Sequence, residues 1–114
     1  MLNPVCITVP GLNGSGPDHW QSWVEKEIPG CRRVTGIDYD KPVIAAWADV
    51  IRKNIRDEAG SVILIAHSFG CLASTVAIAD NETKVAGVIL VAPASPQRFS
   101  TTGLVLDDAV AEAT

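Results

Sequence analysis

Ser68 lies in a sequence context that is typical of a catalytic nucleophile. Residues 66–70, Ala-His-Ser-Phe-Gly, separate an apolar run from a segment that favours a helix. In a nucleophile elbow the serine sits on so sharp a strand-to-helix turn that the residues two positions away must be small. Ala66 and Gly70 meet this requirement, with Ala66 in place of the first glycine of the Gly-x-Ser-x-Gly pattern. The pattern therefore predicts a nucleophilic Ser68; the alternative is that Ser68 caps a helix beginning at Phe69.

A second candidate site is the glycine-rich loop of residues 11–16, Gly-Leu-Asn-Gly-Ser-Gly. Gly11 and Gly16 have the spacing of a phosphate-binding loop, which also needs a Lys and a Ser or Thr directly afterwards. Pro17 and Asp18 stand there instead; they remove an amide donor and add a negative charge. The glycine order also differs from that of a dinucleotide loop. Nucleotide binding and a plain strand-to-helix turn are the alternatives to a catalytic role for this loop.

Taken together, the two stretches predict an oxyanion hole. Acyl transfer at a serine needs two N–H donors about 2.7–3.1 Å from the developing oxyanion. One donor comes from the residue after the serine, here Phe69, and the other from a loop after an earlier strand. The second donor is predicted to be the amide of Leu12 or Asn13, because the glycines let this backbone come close.

The elements around these stretches predict an α/β fold. Apolar, β-branched runs are typical of buried strands, and apolar residues at helical spacing lie between them. The predicted strands cover residues 5–9, 32–37, 61–66 and 85–92, and the predicted helices residues 17–27, 40–59, 69–80 and 104–113. The first helix is predicted from the capping-box spacing of Ser15 and Asp18, and the second from a capping Asp40. This alternation predicts an open, mostly parallel sheet with helices on both faces.

Composition limits the classes of function. The 114 residues are 47% apolar and 19% charged, which predicts one globular domain. A net charge of −4 argues against a nucleic-acid partner. The longest apolar stretch, residues 85–94, is too short to cross a membrane, and no leader is recognised, so we expect a cytoplasmic protein. Three cysteines without Cys-x-x-Cys spacing predict reduced thiols and no metal site. The three tryptophans, at positions 20, 23 and 47, are predicted to be core residues.

Four motifs carry a resemblance to a known family: Pro10-Gly11-Leu12, the run from Ser15 to Trp23, residues 66–71 and Val91-Ala92-Pro93. In these motifs the chain resembles the small bacterial serine hydrolases of the α/β-hydrolase superfamily that are related to retinoblastoma-binding protein nine. The likeness covers about residues 5–93, and its most specific marker is the Gly-Pro-Asp-His-Trp segment, residues 16–20. The resemblance implies that Ser68 is the nucleophile, that the substrate is an ester or similar acyl compound, and that no cofactor is needed.

The resemblance also implies further strands that carry an Asp and a His of a catalytic triad. The sequence stops at Thr114 and no acid stands in the expected context, so a partial α/β-hydrolase domain over residues 1–114 is expected. His67 is expected to pack, because neighbouring residues in a tight elbow point in different directions. His19 is expected to border the pocket, either as a substitute base or as a hydrogen-bonded support for the loop.

Two alternatives to an active hydrolase remain at this stage. The first is a catalytically inactive interaction module with the same fold. It is supported by the run of residues 88–91, Val-Ile-Leu-Val, which no predicted strand follows. An apolar unpaired strand edge favours self-association. The second is an acidic nucleotide-binding protein, supported by the Gly11 and Gly16 spacing alone.

Overall fold

The computed structural model describes residues 4–79 and 84–105. It contains four strands, β1 (Val5–Val9), β2 (Cys31–Arg33), β3 (Val62–His67) and β4 (Val85–Val91), and three α-helices, α1 (Trp20–Glu27), α2 (Ile44–Arg56) and α3 (Phe69–Ile78). A short 3₁₀ turn, Pro96–Arg98, follows β4. The predicted alternation of strands and helices is therefore confirmed.

All strand pairs are parallel, and the strand order is β2-β1-β3-β4. The chain moves from β1 outward to β2, and from β3 outward to β4 in the opposite direction. Right-handed crossovers then place α1 on one face of the sheet and α2 with α3 on the other. The predicted α/β class is confirmed. In such sheets ligands bind beyond the carboxyl ends of the strands where this direction reverses, which here is between β1 and β3.

The core lies between the sheet and the helices. The central strands β1 and β3 are buried on both faces, as expected for a parallel sheet covered by helices. On α2 the apolar residues recur at helical spacing, and they form the buried stripe Trp47, Ala48, Ile51 and Ile55. Trp47 is 2% exposed, so its predicted core role is confirmed, whereas Trp23 is 62% exposed and the prediction for it is wrong.

Two predicted helix starts are wrong, because neither Ser15 nor Asp40 caps a helix. The Ser15 hydroxyl donates to the side chain of Gln21. Helix α1 begins at Trp20, three residues after the predicted start at residue 17, and its N-cap is His19. Asp40 does not cap α2; the N-cap is Val43, whose side chain makes no capping hydrogen bond. The second helix also ends at Arg56 rather than near Gly60.

Strand β2 is shorter than predicted. It ends at Arg33, because the backbone of Thr35 forms hydrogen bonds with the side-chain amide of Asn54. Asn54 Oδ1 accepts from the Thr35 amide at 3.0 Å, and Asn54 Nδ2 donates to the Thr35 carbonyl at 2.9 Å. Of the predicted final helix, Leu104 and Val105 are not helical, and residues 106–113 lie outside the described residues.

None of the helices in residues 4–79 and 84–105 is both long enough and apolar enough to cross a membrane.

Candidate functional site

Ser68 sits on a strained turn between β3 and α3. Its backbone angles are φ 53° and ψ −120°, a combination that costs a residue with a side chain about 1–3 kcal/mol. The turn is held from both sides: the Ser68 amide donates to Val91 O at 3.1 Å, and Ser68 O accepts from Ala94 N at 3.1 Å and Cys71 N at 3.0 Å. Ser68 is the N-cap residue of α3, but its side chain makes no capping hydrogen bond, so the alternative that the Ser68 hydroxyl caps the helix is wrong.

Two glycines let the β1 and β3 ends approach each other. A Cβ atom at Gly70 would lie 2.4 Å from the Pro10 carbonyl oxygen and 2.5 Å from that of Val9. A Cβ atom at Gly11 would lie 2.9 Å from the Ser68 Cβ. The strand register explains this proximity, because Val9 pairs with Ala66, and Gly11 and Ser68 each lie two positions after these paired residues. The glycine loop therefore lies directly against the serine.

The structure distinguishes between the two amides that sequence reasoning left open. Asn13 N donates to the Tyr39 carbonyl at 2.8 Å, which removes it as a donor to a substrate. The Leu12 amide makes no hydrogen bond with any other described residue. The Phe69 amide opens α3, where the first N–H groups have no partner within the helix. Leu12 and Phe69 thus retain free donors next to Ser68.

Gln21 fixes the loop to the sheet and was not singled out from the sequence. Its side chain is fully buried, and Nε2 donates to the carbonyls of Val9 and Ile65, each at 3.1 Å. Its Oε1 accepts from the Ser15 hydroxyl at 2.6 Å. One amide group therefore joins β1, β3 and the loop. A signal existed: Gln21 is a polar residue on the same helical face as apolar Val24 and Ile28, and buried polar groups are normally hydrogen-bonded.

Arg33 supports the loop from the other side. Its guanidinium donates to the Ser15 carbonyl at 2.6 Å and to the Ser22 hydroxyl at 2.9 Å. The same guanidinium pairs with Glu25 at 2.9 Å, and Glu25 also accepts a hydrogen bond from Thr8. The loop conformation is therefore fixed by side chains from α1 and β2.

Ser68 opens into a cavity of about 320 Å³ at the carboxyl ends of β1 and β3. The hydroxyl is half-buried and reaches this cavity together with the loop. The lining residues are Gly11, Leu12, Asn13, Gly14, His19, His67, Ser68, Arg98 and Phe99. Leu12, His19 and Ser68 are thus brought together around one space. Arg98 and Phe99 were not identified from the sequence, because their place depends on how the segment after β4 folds back over α3.

The two histidines lie side by side at the rim, with ring centroids 4.8 Å apart. His19 Nδ1 accepts the hydrogen bond of the Gln21 amide at 3.1 Å. This nitrogen is therefore engaged by the backbone of α1 and is not free to accept a proton from Ser68. Partial burial, and secondarily the neighbouring His19, lower the pKa of His67 below 6.5, which keeps His67 neutral at pH 7. The Ser68 hydroxyl has no hydrogen-bond partner among the described residues.

The part of the chain that the structure describes contains no cluster of side chains that could bind a metal ion. No three His, Cys, Asp or Glu side chains there come together to hold a metal ion. Cys6 and Cys31 face each other across β1 and β2 as free thiols, and burial together with Cys6 and Glu25 raises the pKa of Cys31 to about 11.

Comparisons with known proteins agree with this geometry. Residues 6–111 match the family described as serine hydrolase. The crystal structure of a YdeN-like hydrolase from Pectobacterium atrosepticum superimposes with a TM-score of 0.79 at 36% sequence identity. The match covers 87% of this chain and 54% of the other, so this chain spans about half the length of that hydrolase. No curated protein matches the sequence.

Proposed function

The chain belongs to the serine hydrolase family, and on this premise we propose that it hydrolyses esters or similar acyl compounds, with Ser68 as the nucleophile. One observation carries the proposal: the strained Ser68 turn and the unpaired Leu12 amide line one cavity, and the unpaired amide of Phe69 directly follows Ser68. The Gly-Pro-Asp-His-Trp segment further supports a relation to the group around retinoblastoma-binding protein nine.

The proposed reaction begins when Ser68 Oγ attacks the carbonyl carbon of the substrate and the carbonyl electron pair moves to its oxygen. The Leu12 and Phe69 amides donate to this oxyanion, and the N-terminus of α3 adds a favourable dipole. The carbon–oxygen bond to the leaving group then breaks, which leaves Ser68 acylated, and water releases the acid. Removal of one oxyanion donor lowers kcat by about 10²–10³ in enzymes of this type.

The attacking hydroxyl must also lose its proton. Among the described residues neither histidine serves: His19 Nδ1 is occupied by Gln21, and no hydrogen bond joins His67 to Ser68. His19 and His67 are the only histidines of the 114 residues. We therefore propose that the Asp and the His that the family resemblance implies are supplied by a segment that these residues do not include. Their absence would slow the reaction strongly, because loss of one triad member in a well-studied protease lowers kcat by up to about 2 × 10⁶.

The test is covalent labelling with a fluorophosphonate probe. We expect one phosphonyl adduct, found by peptide mass spectrometry on the peptide that contains Ser68, and none in Ser68→Ala. Ser95→Ala removes an exposed serine outside the cavity lining and should label like the wild type. Labelling that persists in Ser68→Ala would contradict the proposal, and so would the absence of labelling in a longer chain that supplies the proposed Asp and His.

A second candidate function is that of an interaction module that self-associates, and the outer edge of β4 favours it. Among the described residues β4 pairs only with β3, and Ile89 and Leu90 are 52% and 46% exposed. An apolar strand without charges or prolines pairs readily with a second copy of itself. Sedimentation velocity at increasing concentration should then show a dimer, and a monomer at all concentrations would refute this candidate.

A further inference from the structure

Phe99 forms the wall between the Ser68 cavity and a second cavity with largely apolar walls. The second cavity has a volume of about 300 Å³ and lies between the start of α2 and the second half of α3. Its lining residues are Ile44, Ala45, Val76, Phe99, Ser100 and Thr101. Phe99 also lines the Ser68 cavity. One aromatic side chain therefore separates a polar space at the serine from an apolar space behind it.

The position of Phe99 is built into the fold. Its ring lies 4.5 Å from that of Phe69, which in turn lies 4.7 Å from Trp47 in the core. The Arg98 guanidinium carbon lies 5.9 Å from the centre of the Phe99 ring. Phe99 also forms an antiparallel bridge with Val105. The ring is thus held by a row of aromatic contacts and by the backbone.

The turn after Phe99 is seated firmly against α2. A Cβ atom at Gly103, which has φ +90°, would lie 2.8 Å from a methyl group of Val43. Within the turn, Ser100 N donates to Leu104 O at 2.9 Å, and Leu104 N donates to the Ser100 hydroxyl at 2.8 Å. The turn that lines one side of the second cavity is therefore held in place against α2.

We propose that Phe99 restricts the acyl group at Ser68 to short chains by closing off the apolar cavity behind it. This inference rests on the proposed hydrolase function. The walls around Ser68 include polar groups of Asn13, His19, His67 and Arg98, which suit a small acyl group. A longer chain needs hydrocarbon contacts, and the apolar walls of the second cavity on the other side of Phe99 provide them.

The experiment compares acylation of Ser68 by 4-nitrophenyl acetate and 4-nitrophenyl octanoate in the wild type and in Phe99→Ala. Nitrophenolate release and the mass of the acylated protein are the readouts. Each methylene buried in an apolar space contributes about fourfold to binding, so the octanoate-to-acetate rate ratio should rise at least about tenfold in Phe99→Ala. Phe99→Leu, which keeps more of the packing against Phe69, should show a smaller rise and guards against loss of the fold.

A matched pair of variants tests whether the longer acyl chain occupies the second cavity. Ala45→Trp refills the second cavity, and combined with Phe99→Ala it should return the ratio to the wild-type value. Ala46→Trp changes the next exposed residue of α2, which lines a different cavity, and it should leave the raised ratio unchanged. If Ser68 is acylated but the octanoate-to-acetate rate ratio is unchanged in Phe99→Ala, the inference about Phe99 is overturned and the proposed hydrolase function stands. Absence of Ser68-dependent acylation by either ester, in a chain that also supplies the proposed Asp and His, would overturn the proposed function, and the inference with it.

Discussion

Two regions of the sheet differ in how tightly they are held: the carboxyl ends of β1 and β3, and the outer edge of β4. At the carboxyl ends of β1 and β3, the side chains of Gln21 and Arg33 and the backbone carbonyl of Tyr39 fix a short loop through hydrogen bonds. At the outer edge of β4, Ile89 and Leu90 are exposed, and no strand pairs with that edge among the described residues. In the first region a Cβ atom at Gly11 or Gly70 would lie within 3.0 Å of other atoms, whereas a Cβ atom at Gly87 of β4 would have nothing within 4 Å.

This difference distinguishes the residues that hold the Ser68 turn in place from those that form the exposed edge of β4. The Ser68 turn is strained, and strain persists only where the surrounding structure over-determines the conformation. The dense packing at Gly70 and Gly11 provides that constraint. The β4 edge carries no such strain. Substitutions in the two regions should therefore differ in size and in kind.

The largest expected effect is that of Gly70→Ala. The added methyl would lie 2.4 Å and 2.5 Å from two carbonyl oxygens, so β1 and α3 must separate. We expect the free energy of unfolding to fall by about 3 kcal/mol or more. The control is Gly87→Ala in β4, where nothing lies within 4 Å of the new methyl and the change should stay within about 0.5 kcal/mol. Equal losses at both sites, measured by urea unfolding, would remove the contrast between the two regions.

Gln21→Leu should have the next largest effect. The variant keeps the size of the buried side chain but leaves the Val9 and Ile65 carbonyls and the Ser15 hydroxyl without this partner. We expect a loss of about 2 kcal/mol in the free energy of unfolding and slower labelling of Ser68. Trp23→Gln, on the exposed side of the same helix, should change neither by much. If Gln21→Leu unfolds like the wild type, the side-chain amide does not hold the loop.

Ile89→Lys should alter association and leave stability nearly unchanged. The side chain is 52% exposed, so a lysine costs little in the monomer and repels a second copy paired at β4. Sedimentation velocity should show dimer in the wild type and monomer in the variant. Trp23→Lys removes an exposed apolar side chain far from β4 in sequence and should leave any dimer intact. Dimer that survives Ile89→Lys but not Trp23→Lys would place the contact on α1.

The smallest expected effect concerns pH. The pKa of His67 is lowered in the folded state, so the unfolded chain binds this proton more readily. The resulting stability is fully present above pH 6.5, the ordinary value, and is lost as the pH falls through the lower folded value. His67→Gln should therefore show a shallower loss of stability between pH 7 and pH 5, measured by urea unfolding. A steeper loss in His67→Gln would show that the folded state raises this pKa.

Much of the fold was predictable because the signals are local. Strands β1, β3 and β4 follow from apolar β-branched runs, and the α2 stripe follows from helical spacing. The wrong predictions fall where a side chain forms a hydrogen bond with a residue from another element instead of the expected bond within its own segment. Ser15 bonds the buried Gln21 side chain instead of capping α1, and Asn54 takes over the backbone that would have extended β2.

The candidate site was predictable in part for the same reason. Ser68 and the glycine loop lie at the ends of predicted strands, and parallel pairing brings those ends together. The choice of Leu12 over Asn13 was not predictable, because it depends on the Tyr39 carbonyl, which lies far away in sequence. Phe99 was not predictable either, since its contact with Phe69 depends on the path of the chain after β4.

The central claim is that Ser68 faces two main-chain donors, Leu12 and Phe69. A crystal structure of the protein phosphonylated at Ser68 tests it most directly, because the phosphonyl oxygen stands where an oxyanion would form. The account predicts that this oxygen lies about 2.7–3.1 Å from both amide nitrogens, with Asn13 N still bonded to Tyr39. A phosphonyl oxygen that points into solvent, or away from the glycine loop, would contradict the account.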